Sequence, residues 1–208
     1  MSSTTAIQND VLHAASHSLR AEAKSILEDH GLLNLLQTYG RVEVHGSYAL
    51  DLMAWRDLDI YLCARTDRVA PFFELGARIA ESLPVHRMHF RNELSETTDG
   101  LPEGFYWGIY LRDEPFGAWK IDLWAVEVDE LDRLLEYQQG IARQLTPESR
   151  RLIIELKSRL YNHPEYRRGF GARQIYEGVL SAGVRDFRSF AAYLIENGGP
   201  AINLEEAN

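Results

Sequence analysis

The chain has 208 residues, enough for one large domain or two small ones around a buried core. Its formal net charge of -9 excludes a broad, sequence-independent surface for duplex nucleic acid, because such a surface needs clustered cations. The single cysteine excludes an intrachain disulfide, and the N-terminal residues lack the apolar segment of a signal peptide, so we expect a cytoplasmic protein. No apolar run reaches the length that spans a bilayer, and we expect no membrane partner.

Apolar spacing and capping residues predict helices that flank a central group of strands. Helical periodicity covers seven stretches: residues 5–30, 32–39, 71–83, 129–145, 146–162, 172–181 and 186–197. Runs rich in β-branched and aromatic residues predict five strands: residues 41–45, 56–64, 85–90, 105–111 and 118–126. We expect a turn with a short helix over residues 46–53, and a further turn at residues 115–117. Thr146 is the expected N-cap of its helix, with Pro147 at the first helical position.

The order of these elements predicts an α+β fold. It contains a mixed five-stranded sheet flanked by helices, followed by a C-terminal helical bundle. We expect two domains, with the N-terminal helices and the sheet in residues 1–128 and the helical region in residues 129–208.

Two of the predicted strands carry carboxylates where a buried strand would have only apolar residues. Side chains alternate along a strand, so Asp57 and Asp59 share one face, and Asp122 lies on the polar face of a later strand. Oxygen ligands from neighbouring strands suit Mg²⁺, which is completed by water and substrate phosphates. Two such ions about 3.5–4 Å apart can activate an attacking hydroxyl and stabilise a departing pyrophosphate. The alternative is an edge strand whose polar face lies in water.

A Gly46-Ser47 pair precedes the first two acids and suits the binding of phosphate. Glycine allows close approach of the backbone, amides at a helix start favour phosphate oxygens, and serine adds a hydroxyl donor. Lys120 shares the face of Asp122 and is a candidate phosphate contact, with a simple ion pair as the alternative. Lys157 of the helical region is a second candidate, and its alternative is a side chain whose charge reaches water along an apolar stripe.

The segment 42–62, with its Gly-Ser pair and Asp-Leu-Asp, resembles the signature of the nucleotidyltransferase superfamily that includes DNA polymerase beta. The resemblance implies a nucleotidyltransferase sheet in which Gly46 and Ser47 hold the triphosphate. It also implies that Asp57 and Asp59 bind two Mg²⁺ ions, or Mn²⁺ in their place. Asp122 would bind the catalytic metal ion and help to activate the acceptor hydroxyl.

The helical tail and small size are most similar to the minimal members of that superfamily, including the aminoglycoside and lincosamide resistance enzymes. This resemblance implies transfer of a nucleoside monophosphate from an NTP to a hydroxyl of a small molecule, with release of pyrophosphate. The chain departs from many minimal members at residues 48–50, which lack a basic residue, and at Arg56, which replaces a serine. Two alternatives remain: a tRNA or protein acceptor, as in toxin–antitoxin relatives, and a catalytically silent nucleotide-binding or antitoxin module.

Three histidines are weaker candidates. His45 precedes Gly46 and could contact a phosphate. His86 and His89 are expected on opposite faces of one strand, because they are three positions apart and the side chains of a regular strand alternate.

Overall fold

A computed structural model describes residues 3–112 and 117–203, with side chains from residue 11 onward. The predicted turn at residues 115–117 falls in part on Pro115 and Phe116, which lie outside the described residues. None of the helices in the described ranges is long and apolar enough to cross a membrane.

The described helices, numbered in chain order, are α1 Ser3–Leu27, α2 Leu32–Gln37, α3 Gly46–Ala49, α4 Ala70–Ser82, α5 Val128–Gln144, α6 Pro147–Leu160, α7 Ala172–Leu180 and α8 Phe187–Glu196. The strands are β1 Arg41–His45, β2 Asp57–Cys63, β3 Val85–Asn92, β4 Phe105–Leu111 and β5 Lys120–Val126. Every element predicted from the sequence is therefore found, with ends that differ by a few residues. The Thr146 cap is also confirmed, since its side chain accepts a hydrogen bond from the Ser149 amide.

The five strands form one sheet in the order β1-β2-β5-β4-β3. β2 and β5 are parallel, whereas β1–β2, β4–β5 and β3–β4 are antiparallel. The predicted α+β class with a mixed five-stranded sheet is thus confirmed. Because β2 and β5 are parallel neighbours, the strands that carry the acids run side by side in the same direction.

Alternation along the strands gives the sheet one apolar face and one polar face. The apolar face belongs to a core that also takes side chains from α1, α2 and α4. Its fully buried strand residues are Leu58, Ile60, Leu62, Ile109, Leu111, Ile121 and Leu123. Burial of this face fixes the register, since a slip of one residue would turn every apolar side chain to the other side. The polar face then presents the intervening residues of all five strands.

The chain divides into two compact units. One comprises residues 18–139, which contain the whole sheet, and the other comprises residues 1–17 with 140–208. Within the second unit, α8 begins at a capping box in which the Asp186 side chain accepts from the Ser189 amide. The domain boundary expected after residue 128 stays a prediction.

Candidate active site

One row of paired residues crosses the polar face of the sheet and contains two of the acids. Asp59 of β2 lies directly opposite Asp122 of β5, in strands about 4.8 Å apart. On the β1 side the row continues with His45, and on the other side it continues through Gly108 of β4 to His89 of β3. The sequence predicted that these acids lie on neighbouring strands, and the pairing of β2 with β5 confirms this and adds the register of Asp59 against Asp122.

The third acid, Asp57, lies two residues before Asp59 on the same face of β2, and it lies near a lysine that also contacts Asp122. Asp57 is the register partner of Lys120 and accepts a hydrogen bond of 3.1 Å from the indole of Trp55. The Lys120 ammonium lies 2.6 Å from Oδ2 of Asp122 and 3.7 Å from Oδ1 of Asp57. The ion pair that was the alternative interpretation of Lys120 is therefore present, and this cation offsets part of the repulsion between the carboxylates.

Asp122 also accepts a hydrogen bond from Tyr106, a residue that the sequence did not single out. The Tyr106 hydroxyl donates to Oδ1 of Asp122 at 2.5 Å, and its ring packs 4.8 Å from that of Trp124. Burial and the neighbouring Asp122 carboxylate raise the pKa of Tyr106. The hydroxyl therefore stays protonated and fixes the orientation of Asp122. Tyr106 donates to Oδ1 of this carboxylate, and Lys120 donates to Oδ2.

The Gly46 backbone lies directly against the Asp59 carboxylate. Gly46 has φ of +63°, and a Cβ at this position would lie 2.2 Å from Oδ2 of Asp59. Glycine is therefore required here both for its backbone conformation and for the space. The Gly46 amide donates to Oε1 of Gln138 at 2.8 Å, and Ser47 follows as a half-buried residue of α3.

His45 is held against the helix that follows the sheet. Its Nε2 lies 3.2 Å from the Leu134 carbonyl of α5, and its ring meets that of Tyr61 edge-on at 4.9 Å. Burial lowers the pKa of His45, which favours the neutral imidazole. Both Gly46 and His45 are thus fastened to α5, through Gln138 and Leu134.

A β-bulge changes the expected positions of two histidines. The register shifts between Val85 and Arg87, so the alternation is broken at His86. The rings of His86 and His89 consequently both approach Tyr110, at 6.4 Å and 5.9 Å. The expectation that they lie on opposite faces was wrong, because it assumed a regular strand.

Lys157 lies in α6, in the unit that contains the helical tail. Its residue is only 1% exposed, and the ammonium lies 5.9 Å from the centre of the Tyr176 ring. The alternative in which this charge reaches water is therefore wrong.

Arg56, the residue that departs from the pattern of the minimal members before the first acid, forms a 2.7 Å ion pair with Glu22 of α1.

The donors at this site fit Mg²⁺ in kind, although their side chains are not gathered around one point. Within the described residues, no three His, Cys, Asp or Glu side chains are grouped closely enough to hold a metal ion as they stand. Asp59 faces Gly46, whereas Asp122 and Asp57 face the Lys120 ammonium. The three carboxylates are half-buried and offer oxygen atoms, which are the ligands that a hard divalent cation prefers.

Two residues near the acids, Tyr106 and Gln138, were not predicted from the sequence. Tyr106 stands in an aromatic run typical of a sheet core, and only the register of β4 against β5 brings it near Asp122. Gln138 is one polar residue of an amphipathic helix, and nothing in the spacing of that helix distinguishes it.

Solved structures with this arrangement of elements identify the fold. A structure of Cid1, described by its RNA terminal uridylyl transferase activity, matches with a TM-score of 0.55 at 11% identity, covering 83% of this chain and 51% of that chain. A cytoplasmic RNA terminal U-transferase matches with a TM-score of 0.54 at 11% identity, covering 83% and 53%. The chain has the nucleotidyltransferase fold.

A mutant of the Cid1 poly(U) polymerase bound to MgATP gives a TM-score of 0.56 at 11% identity, covering 83% of this chain and 54% of that chain. The chain therefore spans about half the length of the nucleotidyltransferase structures it matches. No protein-family model and no curated protein matches the chain.

Proposed function

We propose that this chain is a metal-dependent nucleotidyltransferase, which moves a nucleoside monophosphate from an NTP to an acceptor hydroxyl and releases pyrophosphate. The observation that carries the proposal is the register of Asp59 against Asp122 on parallel strands, with Asp57 one alternation away. The nucleotidyltransferase fold supports it.

Asp57, Asp59 and Asp122 would hold the metal ions, with Mg²⁺ preferred and Mn²⁺ as an alternative. When bound, such ions neutralise the charge that develops on the phosphate oxygens and lower the pKa of the attacking hydroxyl. Asp122 has the further task of accepting the proton of that hydroxyl. Tyr106 keeps this carboxylate pointed into the site by its hydrogen bond to Oδ1.

Gly46 and Ser47 are the proposed triphosphate contacts on the β1 side of the site. The Gly46 amide is held by Gln138, so it becomes available to a phosphate oxygen only when that side chain moves away. Lys120, whose ammonium lies near Asp122 and Asp57, is the proposed partner of a phosphate. Lys157 remains a proposed nucleotide contact.

The acceptor has two candidate classes. The resemblance to antibiotic-modifying enzymes suggests a hydroxyl of a small molecule, such as an aminoglycoside or a lincosamide. The RNA terminal transferase activity of the structural neighbours suggests an RNA end instead.

Label transfer tests the proposal. The protein is incubated with Mg²⁺ and each α-labelled NTP, in the presence of aminoglycosides, lincosamides or total tRNA. We expect transfer that falls by at least about a hundredfold in Asp59→Asn and Asp122→Asn. Asp67→Asn is the matched control, because Asp67 is an exposed acid of the same unit paired only with Arg65 among the described residues. Tight NTP binding without transfer to any acceptor would show a silent nucleotide-binding module instead.

A further inference from the structure

Beyond Asp122, the polar face of the sheet continues over β4 and β3. Residues paired along this side of the sheet form what we call the β3–β4 strip: Arg87, His89, Arg91, Tyr106 and Tyr110. All three members on β3 are exposed, and Tyr110 is half-buried between them and Lys120. The strip lies wholly within the unit of residues 18–139.

The geometry of nucleotidyl transfer directs an acceptor to this strip. In an in-line displacement, the attacking and leaving oxygens lie on opposite sides of the α-phosphorus. If Gly46 and Ser47 hold the departing pyrophosphate on the β1 side, the acceptor hydroxyl arrives from the opposite side. That side begins at Asp122 and continues across Gly108 to His89, roughly 10 Å away.

The strip is positively charged in a chain that is acidic as a whole. Strand β3 contains Arg87 and Arg91, and neither β3 nor β4 contains an aspartate or glutamate. The first acid after β3 is Glu93, which is buried and pairs with Arg91. Further acids of the connecting segment follow at the far end of the hairpin, beyond the pair of Asn92 with Phe105.

Arg87 and His89 have the chemistry that recognises a nucleotide. The Arg87 guanidinium lies over the Tyr110 ring, 3.8 Å from its centre. Among the described residues, no hydrogen bond or ion pair occupies its N–H donors. The exposed His89 imidazole, 5.9 Å from Tyr110 and 5.3 Å from Tyr106, offers a flat surface to a base. A guanidinium with free donors next to stackable rings suits a phosphate joined to a base.

We propose that the β3–β4 strip is the acceptor subsite and that the acceptor is a nucleotide; this proposal rests on the proposed transfer reaction. Arg87 binds the phosphate of the acceptor, and His89 stacks on its base. Its hydroxyl oxygen bonds to the α-phosphorus of the NTP, the bond from that phosphorus to the bridging oxygen breaks, and pyrophosphate leaves. The hydroxyl proton goes to Asp122. A polycationic aminoglycoside would instead meet Arg87 and Lys120 as like charges.

Four acceptors distinguish the possible sources of this chemistry. Label transfer from α-labelled NTP with Mg²⁺ is measured with a short single-stranded oligoribonucleotide, the same oligonucleotide blocked by a 3′-phosphate, a free nucleoside 5′-monophosphate and an aminoglycoside. Transfer to the free-ended oligonucleotide but not to the blocked one identifies a 3′ end as the acceptor. Transfer to the monophosphate identifies a free nucleotide, and either result supports the proposal. Transfer to the aminoglycoside alone would overturn it.

Substitution of Arg87 tests the strip itself. Arg87→Gln should raise the KM for the acceptor about tenfold, because one charged contact with its phosphate is lost. The KM for NTP should stay unchanged. Arg87→Lys keeps the positive charge, so acceptor binding by this variant should depend on salt concentration almost as it does in the native protein. Arg78→Gln is the matched control, since Arg78 is an exposed arginine that also lies over a tyrosine ring, 5.7 Å from that of Tyr39. Equal effects of Arg87→Gln and Arg78→Gln would overturn the proposal.

A binding measurement separates failure of this proposal from failure of the proposed function. Fluorescence anisotropy with a labelled oligoribonucleotide needs no turnover. We expect the log–log salt dependence of binding to become shallower by about 0.7 in Arg87→Gln and not in Arg78→Gln. If no acceptor is labelled but this difference is seen, the strip binds nucleotides and the transfer reaction is wrong. If transfer occurs and the difference is absent, the reaction stands and the assigned subsite is wrong.

Discussion

Replacing Gly46 by alanine would place a methyl group where the Asp59 carboxylate now lies. The added Cβ would be 2.2 Å from Oδ2, 3.0 Å from Cγ and 3.3 Å from Cβ of Asp59. These distances are too short for unbonded atoms, so the Asp59 side chain has to rotate away from the Gly46 backbone. The substitution therefore tests whether the loop and the acid are fitted to each other.

The expected loss of stability has two parts. The φ of +63° at Gly46 lies in the left-handed region, where alanine costs roughly 1–2 kcal/mol relative to glycine. Rotation of Asp59 out of its preferred conformation adds roughly 0.5–1.5 kcal/mol. We expect a total decrease of about 1.5–3.5 kcal/mol in the free energy of unfolding.

Urea unfolding of two matched variants separates these parts. Gly31→Ala is the control, because Gly31 has φ of +72° and an added Cβ would meet no atom within 4 Å. It should lose only the backbone part. In an Asp59→Ala background, Gly46→Ala should also cost about as much as Gly31→Ala, since the clashing carboxylate is gone.

Equal losses for Gly46→Ala and Gly31→Ala in the otherwise native protein would refute the reasoning, because the acid would then not lie against the loop. A functional measurement accompanies the unfolding experiment. If Asp59 is a metal ligand, Gly46→Ala should weaken Mn²⁺ binding, measured by electron paramagnetic resonance, while Gly31→Ala should not.

Three further predictions concern the hydrogen bonds and charges of single residues. Tyr106→Phe removes the hydroxyl that donates to Asp122, and turnover should fall about tenfold with an unchanged fold by circular dichroism; unchanged turnover would mean that Tyr106 only packs. Lys120→Met removes the cation between the carboxylates, so the melting temperature measured in chelator should fall. Added Mg²⁺ should then raise the melting temperature by more than it does in the native protein. An equal rise in both proteins would contradict this role of Lys120. The pKa of Asp186 is lowered by hydrogen bonds from the backbone and hydroxyl of Ser189, so its stabilisation is present above the ordinary carboxyl pKa and is lost as pH falls through the lowered value. Asp186→Ala should cost about 1 kcal/mol at neutral pH, and in thermal unfolding down to about pH 3 Asp186→Asn should lose less stability than the native protein does.

The order and type of the elements could be predicted because each depends on local pattern. Alternation in residues 57–63 and 120–126 reflects a sheet with one buried face, and the spacing of glycines and caps marks the ends of helices. The same alternation placed Asp57 and Asp59 on one face of their strand and Asp122 on the polar face of its own strand. Where local pattern was interrupted the prediction failed, as at the bulge near His86, since a single extra residue reverses the faces of everything on one side of it.

The contacts of the acids could not be predicted, because they join residues distant in the chain. Lys120 was recognised as a partner for an acid, but the bond from Tyr106 to Asp122 depends on how β4 pairs with β5. Gln138 meets the Gly46 amide across a separation of 92 residues. One interpretation of Lys157 carried its charge to water, and the packing of the helical region buries the residue instead.

The sequence by itself determined which residues are candidates for the proposed chemistry, since carboxylates on a strand, and a glycine before them, are visible in the order of the amino acids. The tertiary structure alone decided what surrounds them: the parallel pairing that sets Asp59 beside Asp122, and the arginine and aromatic residues on the side of Asp122 away from Gly46. The physical reason is that alternation is a property of one strand, whereas the neighbours of a strand depend on which apolar faces the whole chain can bury together.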